Sequence, residues 1–262
     1  MTETPRIIPG FPEMWRPVYE KYQPFFLCAH KLMPIVNEVI RAPIEGPLLN
    51  TVCRMLVAAS NSYGALIVLA LNGYGHDAMK IARSIFETEL NIIRLKTHPE
   101  ELNDFLDYIF IIQKKQFDML DDGQKKGVAK GHYEEMMAKY NDVLPRFASK
   151  QDRTRPRNEW CRESIYARAK EAGIDYLDLY QTFYREASSL HHLDIGGLVS
   201  QADKELYADI APSWACIEDA LVATGSFVRS VGDYDEMGNL GFKDRLQTEV
   251  NEAYAAAVKS LA

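Results

Sequence analysis

The sequence predicts an all-α fold, a single-domain bundle of about nine or ten helices behind a proline-rich N-terminal arm, and three observations carry that prediction. Eight of the twelve prolines fall within the first 47 residues, and the windows 48–98, 157–211 and 213–262 contain none. Those windows repeat apolar residues at the three- and four-residue spacing that gives a helix one buried face. No stretch alternates apolar and polar residues with period two between turn signals, so no strand is predicted. With 262 residues, 47% apolar and 26% charged, the chain can bury a full core, which excludes disordered and disulfide-held classes.

Taken in order, residues 1–46 form the arm, with short helices at 13–31 and 34–42, because proline fixes φ and withholds a backbone donor. Residues 47–262 form the bundle. The helix at 47–72 has no charged side chain from Met55 onward, yet Ser60, Asn61, Ser62, Gly64 and Asn72 interrupt its apolar run. That pattern predicts a buried central helix and no membrane span. Asn72–Gly73–Tyr74–Gly75 ends it, since glycine tolerates a left-handed turn, and Asp77 sits in the first turn of a helix at 76–97. Pro99–Glu100–Glu101 opens a helix at 100–122, and another follows at 131–144. Gly173 ends a helix at 158–172, and Asp175 caps one at 175–195. Helices at 211–232, with Pro212 in the first turn, and at 242–261 complete the bundle.

Cys28, Cys53, Cys161 and Cys216 lie far apart with no C-x-x-C pair, so they are expected to be reduced core residues of a cytoplasmic protein. Thr2–Glu3–Thr4–Pro5 lacks the cationic start of a signal peptide. The net charge of −7 disfavours a surface given over wholly to nucleic acid. Charge is uneven, however. Residues 146–170 hold eight basic side chains against three acidic ones, and Lys150–Arg157 has almost nothing apolar. This segment is expected to be an exposed, mobile loop that contacts RNA phosphates or an acidic partner, with Arg153, Arg155 and Arg157 as the phosphate-contact candidates.

Two helices carry the informative polar residues. At 76–97, Arg83, Glu87 and Arg94 flank an apolar arc and Glu89 falls inside it. A carboxyl there must find a partner or take up a proton. Arg83 and Glu87, one turn apart, can satisfy each other. At 175–195, Tyr176, Tyr180, Phe183, Ala187 and Leu190 make the core stripe, while Tyr184, Ser188 and His192 form a ladder beside it. Arg185 and His192 lie two turns apart on one face. An Arg that steadies phosphoryl charge beside a His that exchanges protons near neutral pH suits phosphodiester chemistry. His191, His192 and Asp194 lack the spacing of a metal site, and no cofactor motif occurs, so no metal and no cofactor are expected.

The ordered set Asn72–Gly73–Tyr74, Asp77–Ala78, Arg83–Ser84–Ile85–Phe86–Glu87 and Tyr184-x3-Ser188-x3-His192 resembles the bacterial domain of unknown function five-six-seven-seven (DUF5677) over roughly residues 50–230. That family is all-α. Arg185-x6-His192 is also similar to the R-x(4–6)-H motif of the HEPN superfamily, although Glu186 follows the Arg where those nucleases carry a small polar residue. The second resemblance implies a helical, metal-independent endoribonuclease of a defence or toxin–antitoxin system, active as a homodimer. Arg185 and His192 would then be catalytic, with Arg83, Glu87, Tyr184 and Ser188 as the supporting network. Two alternatives stay open. One is a non-catalytic binding module in which these residues are a structural polar network. The other is a small-ligand pocket within the bundle.

Overall fold

The computed structural model describes residues 12–150, 152–192 and 214–261, except the side chains of Pro12, Leu190, His191 and His192. The fold is an all-α bundle. Among the described residues there is no strand, only an isolated bridge between Ala148 and Pro156. The helices are α1 (Pro12–Arg41), α2 (Pro47–Leu71), α3 (Gly75–Thr97), α4 (Leu102–Met119), α5 (Asp122–Gly127), α6 (Lys130–Phe147) and α7 (Ile165–Ala172). Then come α8 over 174–192, α9 (Trp214–Ala223), α10 (Gly225–Gly238) and α11 over 243–259. These make two compact units. Of the described residues, one contains those up to Lys96 and from Arg168 onward, the other those between 97 and 167.

In the first unit the proline-rich segment is more helical than expected. The two short predicted helices are a single α1, bent at Tyr22 (φ −113°, ψ 21°), with Pro17, Pro24 and Pro34 inside it. Pro24 lacks the N–H that would bond one turn back, which accounts for the bend two residues before it. The helix persists because Val18, Tyr22, Phe25, Cys28, Leu32, Ile35 and Val39 recur every three or four residues and are all buried. Each large side chain contributes about 1.5–3 kcal/mol, so the stripe outweighs a cost of about 3 kcal/mol for each internal proline.

α2 is long and apolar enough to cross a membrane by length and composition. Its stripe Val52, Leu56, Ala59, Tyr63, Leu66 and Ala70 is buried, with α1, α9 and α10 packed on the helix. Tyr63 stacks on Phe227 of α10 with ring centroids 4.8 Å apart. The α2–α3 corner turns at Gly73, whose φ of +83° a Cβ would resist. The segment predicted as one helix at 211–232 divides at Thr224, where the side-chain hydroxyl donates to the Leu221 carbonyl. α10 then runs on to Gly238.

Two helical glycines should respond oppositely to alanine. A Cβ on Gly64 meets nothing within 4 Å, whereas one on Gly225 would sit 2.5 Å from the Tyr254 hydroxyl. That hydroxyl donates to the Val222 carbonyl. Gly64→Ala is expected to raise stability by about 0.5–1 kcal/mol, from helix propensity alone. Gly225→Ala should lower it by about 2 kcal/mol, because Tyr254 must leave its position. Urea melts of both variants check this. Equal effects would mean that the approach of Tyr254 to Gly225 is not a constraint.

In the second unit α4 packs on α6, with Tyr108, Ile111, Met136, Val143 and Phe147 buried. Asp121 and Gln124 form a capping box that starts α5. The basic segment after α6 is exposed at its tip, as expected, and tied at its base. The Ser149 N–H donates to the Arg155 carbonyl at 2.7 Å, and the Arg157 N–H to the Phe147 carbonyl at 2.8 Å. The helix predicted from 158 begins only at Ile165. Before it, the carbonyls of Glu159 and Trp160 accept from the Arg157 side chain instead of entering a helical ladder.

Candidate functional site

α8 consists of Ile174–Leu179, a π turn at Tyr180–Tyr184, and Arg185–His192. Gly173, at φ +125°, starts it where the sequence predicts. The π turn places an extra residue in one turn, so residues beyond it leave the face that an ideal helix assigns to them. Tyr184 is buried as a result, stacked on Tyr180 with centroids 5.2 Å apart and packed against Phe86 of α3 at 5.6 Å.

The Tyr184 hydroxyl reaches the pair foreseen on α3. Arg83 Nε donates to Glu87 Oε1 at 3.0 Å, and Tyr184 Oη donates to the same oxygen at 2.7 Å. Arg83 Nη2 lies 3.4 Å from Tyr184 Oη, with the guanidinium carbon 5.1 Å from the ring centre. Burial, reinforced by the Glu87 carboxylate, pushes the Tyr184 phenol up to about 12. It therefore stays a donor across the physiological range. Arg83 Nη1 is buried and has no hydrogen-bond partner among the described residues.

The structure thus joins Arg83, Glu87 and Tyr184. Arg185 and Glu186, the next two residues, are exposed, and Ser188 is half-buried. His192 closes α8, and its side chain lies outside the described residues, so the predicted Arg185–His192 pairing falls there too. Around this end of α8 the charge is partly acidic. Burial, and then Glu186 and Glu218, push the Asp219 carboxyl up to about 6. On α3, burial and Lys80 lower the pKa of His76.

The three phosphate-contact candidates differ from one another. Arg153 is exposed. Arg155 is exposed as well and pairs with Asp152 at 3.3 Å. Arg157 is a brace. Its Nε and Nη1 donate to the carbonyls of Glu159 and Arg146 at 2.9 and 2.7 Å, Nη2 donates to that of Trp160, and its guanidinium lies 4.9 Å from the Phe147 ring centre.

A second buried cluster in the first unit was only half foreseen. Glu89 is fully buried, and Tyr176 of α8 donates to its Oε1 at 2.7 Å. Its Oε2 has no hydrogen-bond partner among the described residues. Arg229 of α10 lies over the Tyr176 ring at 4.7 Å. Burial holds the Glu89 pKa well above the ordinary carboxyl value, against the opposing pull of Tyr176 and Arg229. The signal was a carboxyl inside an apolar arc, but its partners come from distant helices. Among the described residues no three His, Cys, Asp or Glu side chains gather as metal ligands.

A family of unknown function, DUF5677, matches residues 49–205, more than half of the chain. No curated protein and no solved structure matches it.

Proposed function

We propose, of a chain that belongs to the family of unknown function DUF5677, that the outer face of α8 is the active site of an HEPN-like, metal-independent endoribonuclease. One observation carries the reading. Arg185 is an exposed cation on the residue that follows Tyr184, and Tyr184 is clamped to α3 through Glu87 and Arg83. A charged group on a helix fixed from beneath is already placed for a phosphate, with little ordering left to do on binding.

In this reading His192 takes the proton of an RNA 2′-hydroxyl as its oxygen attacks phosphorus. The P–O5′ bond breaks, the departing 5′-oxygen takes a proton from water, and Arg185 stabilises the charge that builds on the phosphoryl oxygens. The products are a 2′,3′-cyclic phosphate and a free 5′-hydroxyl. Arg83, Glu87 and Tyr184 touch no substrate and act as positioning residues.

His192→Ala and Arg185→Ala are each expected to reduce RNA cleavage by about 10²–10⁴-fold while leaving helicity and Tm unchanged. Cleavage should persist in EDTA, since these two side chains perform the chemistry. If wild-type protein cleaves no RNA and His192→Ala lowers stability by about 2 kcal/mol, the residue is structural and the nuclease reading fails. A non-catalytic binding module is then the better account. That second reading is favoured by the carboxylates Glu186, Glu218 and Asp219, whose mutual repulsion marks this end of α8 as partly acidic.

A further inference from the structure

The second unit contains a cavity of about 760 Å³ whose lining includes Arg146, Lys150, Arg153, Arg157 and Arg162 and no carboxylate among the described residues. That volume is within the range of small-molecule sites. We propose that it binds a compact, phosphate-rich anion, one that carries several closely spaced phosphoryl groups.

Two of the five cations build the wall. Arg157 is tied to backbone carbonyls on three nitrogens and packed on Phe147. Arg146 is held by Asp104 and Asp107 of α4, so its charge is answered from outside the cavity. Lys150, Arg153 and Arg162 remain exposed on that frame. Three like charges brought to one concavity repel each other, and a multivalent anion is the ligand that relieves this. Arginine adds forked donors that match phosphate oxygens.

The lining also decides what is recognised. Its apolar members are Leu144, Pro145 and Ala148, with no aromatic ring. A base would have nothing to stack on, so the phosphates themselves are the recognised part. A nucleic-acid strand presents its charges spread along a backbone, whereas this cavity gathers its cations into one small volume. The frame is fixed before any ligand arrives, because Ala148 bridges Pro156 and the Arg157 N–H bonds Phe147. Little backbone entropy is then lost at the base of the loop.

The test is calorimetric titration of the full-length protein with tripolyphosphate at low salt. Saturable one-site binding that weakens steeply with added NaCl is expected. Arg153→Ala with Arg162→Ala should lower affinity at least tenfold at unchanged Tm. Arg155→Ala, whose side chain pairs with Asp152 and is not part of the lining, should change it less than twofold. No saturable binding at low salt would overturn the proposal. So would an equal loss in Arg155→Ala, which is the behaviour of diffuse attraction. A single-stranded oligouridylate is the second arm. If it binds and tripolyphosphate fails to displace it, the occupant is a strand and the compact-anion assignment is wrong. None of these residues belongs to α3 or α8, so this result and the RNA-cleavage result stand or fall separately.

Discussion

Glu89→Ala should lower the stability of the protein by about 3 kcal/mol, whereas Glu89→Gln should cost less than about 1 kcal/mol. Alanine leaves a void in a fully buried position and strips the Tyr176 hydroxyl of its acceptor. Glutamine keeps the volume and offers a carbonyl oxygen to the same donor. The two variants separate packing from charge, because burial favours the neutral acid at this site. A carboxyl whose folded pKa exceeds its unfolded one binds more protons in the native state. Its contribution is then fully present below the ordinary value of 4.5 and is lost as pH rises through the folded pKa. Asp219 acts with the same sign, and its share is lost as pH rises through about 6. Urea melts of wild type, Glu89→Gln and Asp219→Asn between pH 4 and 8 should show stability falling with pH in wild type and a flatter profile in each variant. If Gln proves as damaging as Ala, Glu89 is an ionised partner of Arg229 and not a neutral acid.

What could be read from the sequence was what local chemistry decides. The helix boundaries at Gly73, Pro99 and Gly173 depend on a few neighbouring dihedrals and donors, and they fall where predicted. Arg83 and Glu87 were legible because one turn of helix separates them. For α1 the helical pieces at 13–31 and 34–42 were legible but their continuity was not, because the penalty of each proline is local while the gain from its stripe is tertiary, supplied by helices far along the chain. The burial of Tyr184 was missed for a different reason. A constant rotation per residue cannot show a π turn, so the residue read as lining the core stripe lies within it. Composition misled most at the basic segment. Arg157 reads as one more exposed cation, yet it holds three carbonyls, a use of charge that leaves no mark on periodicity or net charge.

The Arg83–Glu87 pair gives the other large expected effect. Arg83 is 16% exposed and Glu87 35%, so removing the carboxylate leaves a mostly buried guanidinium whose Nη1 already has no hydrogen-bond partner among the described residues. Glu87→Ala should therefore cost about 2 kcal/mol, less than the full penalty for a sealed pair because water still reaches Glu87. Tyr184→Phe keeps the ring against Phe86 and under the guanidinium but loses the bond to Glu87 Oε1 and the longer one accepted from Arg83 Nη2, so about 1–2 kcal/mol is expected. Arg83→Met with Glu87→Leu replaces both charges by apolar groups of similar length, and the double variant should be more stable than Glu87→Ala alone. A double-mutant cycle on the two positions should return a coupling of about 1–2 kcal/mol. Strict additivity would mean that solvent screens the pair and that the charges themselves add nothing to the hold on α8. Under the nuclease reading the same variants have a second consequence. Glu87→Ala loosens the turn beneath Arg185, so kcat should fall while KM for RNA changes little, and Glu87→Gln, which still accepts from Tyr184, should restore most of it. A purely structural pair would shift stability with no such split.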